Sequence, residues 1–275
     1  LVPILVSSYL YFNFEAEQDK RINILILQPN IDPYTEKFDI SFSDQLEDLI
    51  TLAETCLTHE TNLLIGPETG LQEGIWENTN FRYDNTHSIL MLQDLQKKYP
   101  NLNILVGATT YRLFGVNEKK SATARQIRNQ DIYYDAYNSA IFLSKNGNIQ
   151  IYHKTKLVPG AEKMPFPKIL DPLAKFAVNL GGISGSLASD NYINSFFVDS
   201  SIVSPLICYE SVYGEMGLGP TNLLAIITND GWWKNTAGYK QHFQYARLRA
   251  VEQRKAVIRS ANTGISGVIN ARGEV

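Results

Sequence analysis

The chain has no excess of basic charge. Its 25 Lys and Arg stand against 28 Asp and Glu, a formal net charge of 25 − 28 = −3. A nucleic-acid binder usually carries a basic face, so the balance argues against a nucleic-acid partner. Cysteine is scarce: two in 275 residues exclude a disulfide-built scaffold. The four histidines (His59, His87, His153 and His242) form no Cys/His ligand spacing with them, so no zinc or other metal site is expected. Long apolar runs are missing too. The opening LVPILVSSYLYF (1–12) is far shorter than the ~20 residues that span a bilayer. No internal repeat or low-complexity tract occurs, which sets aside collagen-like and coiled-coil readings.

What is present is a globular composition. Hydrophobic residues make up 44% and charged residues 19%, enough apolar surface for a large core. Short apolar runs alternate with helical patterns. Strands are predicted at 22–28 (INILILQ), 62–66, 103–109, 138–144, 149–152, 202–208, 223–229 and 256–260. Phe42, Leu46, Leu49, Ile50, Ala53 and Leu57 recur at helical spacing, which also places Cys56 in a helix. Ile89, Leu92 and Leu95 predict a second helix that ends before Pro100, and a third lies around 242–254. Runs with little alternation are buried on both faces, as in α/β sheets, so the fold class is α/β. The 181–186 stretch GGISGS reads as a mobile loop.

In an open α/β sheet, ligands sit beyond the carboxyl ends of strands. Three reactive side chains fall there: Glu68 in GPET, Lys154 in YHK, and Cys208 in LICYE. Each has a plain structural reading. A strand cysteine fills core, a glutamate beside Pro67 favours a helix start, and a lysine is a solvated cation. Their coincidence in separate strand–loop units points to chemistry. A thiol is a poor nucleophile until its proton is removed, Glu68 is a general base for that proton, and an ammonium stabilises an oxyanion.

These residues resemble the nitrilase-type carbon–nitrogen hydrolase superfamily, whose members use Glu, Lys and Cys in this chain order. Within it, the chain looks like the extracytoplasmic catalytic domain of the apolipoprotein N-acyltransferase family. The segments that carry the likeness are LQPNID (27–32), GPET (66–69), YHKTKLVPGAE (152–162), ICYE (207–210), TNDGWW (228–233) and the run 242–269. The resemblance implies a nitrilase-like αββα sandwich. It casts Cys208 as the nucleophile that becomes a thioester, Glu68 as general base and Lys154 as the catalytic amine. Glu162 would support the amine, Tyr209 and Glu210 would shape the site, and Trp232 or Trp233 would lie near an acyl chain. The chain departs from the family's common form at 159–162 and 70–77.

The same resemblance implies a fatty acyl transfer from a membrane phospholipid to the N-terminal amine of a diacylglyceryl-cysteine apolipoprotein. No cofactor is implied. The expected organisation is the end of a transmembrane helix at 1–12, a linker at 13–21 and a catalytic domain over 22–275, in a longer protein of the bacterial inner membrane with this domain on the periplasmic side. The apolar 163–188 segment reads either as packing or as a membrane-facing flap. Two other functions remain open: a soluble amidase of the same superfamily and a non-catalytic lipid-binding domain.

Overall fold

The computed structural model describes residues 1–14, 21–77, 86–163 and 186–275. Most of the segment read as a flap (163–188), most of the 181–186 loop and most of the 13–21 linker lie outside the described residues.

Strands β1 (Ile24–Ile26), β2 (Leu63–Ile65) and β4 (Asn103–Leu113) run parallel. Strand β3 (Leu71–Trp76) also pairs with β4. Strands β6 (Tyr133–Leu143) and β7 (Ile149–His153) continue the sheet antiparallel, and β5 (Arg125–Gln126) caps one edge of β6. Among the described residues this sheet has seven strands. A second, five-stranded sheet follows the order β12-β11-β10-β9-β8. Its centre is parallel: β9 (Ser201–Ile207), β10 (Leu223–Thr228) and β11 (Ala256–Ala261). Strands β8 (Phe196–Val198) and β12 (Gly267–Ile269) flank it antiparallel.

The two sheets pack face to face. Leu63, Ile65, Leu105 and Phe142 of the first meet Phe196, Val203, Ile207 and Ile227 of the second. Phe142 and Phe196 stack with centroids 4.8 Å apart. Outside the first sheet, helices α2 (Phe42–Glu54) and α3 (His87–Lys98) bury Leu46, Leu49, Ile89, Leu92 and Leu95. Outside the second, α4 (Gly238–Gln253) buries Phe243, Ala246 and Ala250. The result is the four-layer αββα sandwich. Every residue of LLAIIT in β10 is buried, because both faces of that strand are covered.

Local chemistry sets the helix ends. The Ser41 hydroxyl accepts from the Asp44 N–H at 3.1 Å and starts α2. Arg254 adopts φ 54° and stops α4. Helix α2 ends at Glu54, so Cys56 lies past it and is exposed, rather than inside the helical pattern. Strands β3, β5, β8 and β12 escaped the sequence reading; β3 is formed by the same 70–77 stretch that departs from the family's common form.

At the N-terminus, helix α1 (Val2–Asn13) buries none of its residues. Its end is tied down by Tyr11 Oη donating to Glu274 Oε1 at 2.7 Å and by Arg272 donating to the Phe14 carbonyl at 2.8 Å. Among the described residues no helix is long and apolar enough to cross a membrane.

Candidate active site

The first sheet delivers a carboxylate and an amine. Glu68 follows β2, where the chain passes so close to β4 that a Cβ on Gly107 would lie 2.6 Å from the Glu68 Cα. No side chain fits there, which is why a glycine stands at that point. Lys154 follows β7, and its N–H donates to the Asn138 carbonyl of β6 at 2.8 Å. Its ammonium, 1% exposed, donates to Glu68 Oε1 at 3.1 Å and to Glu162 Oε1 at 2.8 Å. The Asn138 amide donates to the same two oxygens, at 2.8 and 2.9 Å. The Asn229 N–H holds Glu68 Oε2 at 3.0 Å, and the Val158 N–H holds Glu162 Oε2 at 2.8 Å.

Burial opposes the charge of Lys154 and of Glu162, and pairing overcomes it. Burial pushes the Lys154 ammonium toward neutrality, but Glu162, Glu68 and Cys208 together raise its pKa well above the ordinary lysine value. Burial likewise disfavours the Glu162 carboxylate, and the Lys154 charge and hydrogen bonds outweigh it, so its pKa falls.

The second sheet delivers the thiol. Cys208 opens a 3₁₀ turn (Cys208–Val212) at the end of β9. Its φ of 49° is left-handed, a conformation that costs a side-chain-bearing residue about 1–2 kcal/mol and points it away from the strand. Burial pushes the thiol pKa up and the Glu68 charge adds to this, while Lys154 and a hydrogen bond with Thr228 pull it down. On balance the surroundings favour the thiol over the thiolate.

Glu210, fully buried, joins the two halves. Its Oε1 accepts from Tyr152 Oη at 2.7 Å and from the Thr155 N–H at 2.6 Å, while Oε2 accepts from the Ile207 N–H at 2.7 Å. Burial raises its pKa, against these bonds.

A cavity of about 60 Å³ is lined by Cys208, Glu68, Lys154, Glu162, Asn138, Thr69, Lys37 and Trp232, with Val158 and Ala161. Of the two tryptophans, Trp232 is on this wall. Trp233 packs on His242, ring centroids 5.1 Å apart. Tyr209 stands edge-on to Tyr213 at 5.3 Å and is not among the lining residues.

Behind the thiol lies a second polar cluster. His242 Nδ1 is 2.9 Å from Asp230 Oδ1, and Arg259 Nη2 donates to Asp230 Oδ2 at 2.8 Å. His242 Nε2 lies 3.1 Å from the Cys208 carbonyl oxygen, which also accepts from Ser211 Oγ at 2.8 Å. The histidine thus touches the backbone of Cys208 and braces its turn. Sequence reading missed Asn138, Asn229, Asp230, His242, Arg259 and Lys37. The Asn-Asp pair within TNDGWW was the one visible signal, and nothing in it revealed its partners.

A buried thiol facing a fixed carboxylate and ammonium can carry out acyl transfer through a covalent intermediate. The chain belongs to the carbon-nitrogen hydrolase family, whose model matches residues 26–275. Among curated proteins it is similar to the apolipoprotein N-acyltransferase of Chlorobaculum tepidum, at 28% identity over 96% of this chain and 50% of that protein. It is 39% identical to the apolipoprotein N-acyltransferase of Rhizobium rhizogenes over 50% of this chain and 27% of that one. The chain thus spans about half the length, or less, of the curated relatives it matches. Among solved structures, the nitrilase-superfamily protein Nit3 of Saccharomyces cerevisiae superposes with a TM-score of 0.62 at 15% identity, over 94% of this chain and 87% of that one. An amidase from Nesterenkonia sp. gives 0.55 at 13% identity, over 95% and 87%. At these identities the two structures share the fold.

Proposed function

We propose that this domain is the catalytic part of an apolipoprotein N-acyltransferase, working through a Cys208 thioester. The observation that carries the reading is the convergence of Cys208, Glu68, Lys154 and Glu162 on one small buried cavity. In the first step Glu68 takes the Cys208 proton, and the thiolate attacks the ester carbonyl of a membrane phospholipid. Lys154 stabilises the oxyanion of the tetrahedral intermediate. The C–O bond breaks, Glu68 returns the proton to the leaving alkoxide, and a lysophospholipid departs. In the second step the N-terminal amine of a diacylglyceryl-cysteine apolipoprotein attacks the thioester. Glu68 accepts the amine proton and passes it to the departing Cys208 sulfur, leaving an amide and a restored thiol. Glu162 holds the Lys154 charge in place during both steps. Burial of the sulfur disfavours competing attack by water.

In this reading α1 is the end of a transmembrane helix, residues 13–21 are a linker, and residues 22–275 face the periplasm from the bacterial inner membrane. The test is intact-protein mass spectrometry of the full-length, membrane-embedded protein after incubation with phospholipid. An acyl adduct on Cys208 is expected, released as amide on adding a diacylglyceryl-cysteine peptide and lost in Cys208→Ala. Turnover retained by Cys208→Ala would sink the mechanism. Hydrolysis of small amides with no acyl adduct would replace it with an amidase.

A further inference from the structure

One charged group in the cavity wall has no part in that chemistry. Lys37 lies on the loop before α2 and is 5% exposed. Its ammonium donates to Thr69 Oγ1 at 2.6 Å, and that hydroxyl is its one hydrogen-bond partner among the described residues. No carboxylate there forms an ion pair with it. Both Glu68 and Glu162 spend an oxygen on Lys154 instead. An ammonium carries three donors, so two of them are unmet in a buried position, which is costly unless a ligand meets them. The Trp232 ring stands 5.8 Å from Nζ, a cation–π contact that offers the free donors no hydrogen-bond acceptor. Burial accordingly pulls the Lys37 pKa down to about 8, with Glu68 pulling it back up.

We propose that Lys37 is the anion-recognition residue of the donor site, pairing with the phosphodiester of the acyl donor while its ester carbonyl lies at Cys208. This rests on the acyl-transfer reading above and adds to it the group that selects a phospholipid over a neutral ester. The geometry favours that partner. Lys37 and Cys208 line the same small cavity, and in a glycerophospholipid the phosphate follows the ester-bearing glycerol by only a few bonds. Lys154 cannot take this part because its charge is already shared between two carboxylates. A phosphate oxygen would satisfy the free donors of Lys37 and repay its burial with a charge-assisted hydrogen bond.

The experiment compares Cys208 acylation rates in the full-length protein, held in detergent micelles, with two donors: phosphatidylglycerol and p-nitrophenyl palmitate, which has no phosphate. Lys37→Met is expected to slow acylation from phosphatidylglycerol by about tenfold to a hundredfold, chiefly through KM, the scale of one lost bond to a charged group. Its rate with the p-nitrophenyl ester is expected to stay within about threefold of wild type, since the reacting groups are untouched. Lys37→Arg keeps the charge and is expected to recover most of the phospholipid rate. Equal losses with both donors, or no loss with the phospholipid, would overturn the assignment of Lys37 and leave the thioester mechanism standing. Absence of any Cys208 adduct in the wild-type protein with either donor would remove the acyl-transfer reading, and this inference with it.

Discussion

Two clusters of buried charge meet at Cys208, one open and one sealed. Glu68, Lys154 and Glu162 line the cavity that the sulfur enters. Asp230, His242 and Arg259 lie behind, bonded to one another and, through His242, to the carbonyl of Cys208 rather than to its sulfur. Both are nearly inaccessible ionic clusters, two carboxylates around Lys154 in the first and one carboxylate between Arg259 and the His242 ring in the second. Burial and pairing alone therefore do not mark a reactive centre. What separates the clusters is access to a reactive atom: the first shares a cavity with Cys208, and the second meets its backbone carbonyl. The open one carries the proposed proton transfers; the sealed one braces the strained turn that presents the thiol.

That contrast can be broken by substitution. The largest effect is expected in Glu68→Gln, which keeps the shape of the open cluster and removes its proton acceptor. Single-turnover acylation of Cys208 should fall by about 10²–10⁴-fold, the usual contribution of a general base. Thermal unfolding should move little. An unchanged rate would strip the open cluster of its chemical role. The reverse pattern is expected in Asp230→Asn, which leaves Arg259 charged and unpaired in the core. Denaturant unfolding should show a loss of about 3–5 kcal/mol, with a smaller rate loss per folded molecule than in Glu68→Gln. A stability equal to wild type would show that the sealed cluster does not hold the fold.

The cysteines sharpen the comparison. At pH 8, iodoacetamide should label exposed Cys56 at least about tenfold faster than Cys208, whose thiol is held neutral by burial and by Glu68. Peptide mapping after timed labelling checks this. The smallest effect concerns acid. Glu162 and Asp230 both have folded pKa values below their ordinary 4.5 and 3.8, although burial works the other way. A lowered carboxylate contributes stability that is present above the ordinary value and is lost as pH falls through the folded one. Stability should therefore decline below about pH 4.5, and the decline should be shallower in Asp230→Asn, which has one fewer proton to take up. Identical acid limbs would contradict the pairing of Asp230.

What the sequence disclosed follows the same division. Glu68, Lys154 and Cys208 were legible because each stands at the end of an apolar run or two residues past it, and a strand end has a fixed place in an α/β sheet. Glu162 and Glu210 were legible only through family likeness, since nothing in PGAE or CYE says what a buried carboxylate faces. The sealed cluster was hidden because its members come from a turn after β10, from α4 and from β11, and only the packing of α4 on the sheet joins them. His242 fell within the helix predicted around 242–254, which describes its helix correctly and misses its ring. Strand β3 was missed because Gln72, Glu73 and Gly74 interrupt its apolar pattern. Lys37 was missed because a lysine in a polar loop is ordinarily solvated.

The Glu210 carboxylate has a mechanical consequence. One oxygen grips the backbone just after Lys154 and the other grips the backbone just before Cys208. The sulfur and the ammonium are thereby clamped to one small strut that spans the two sheets, so a displacement of either drags the other.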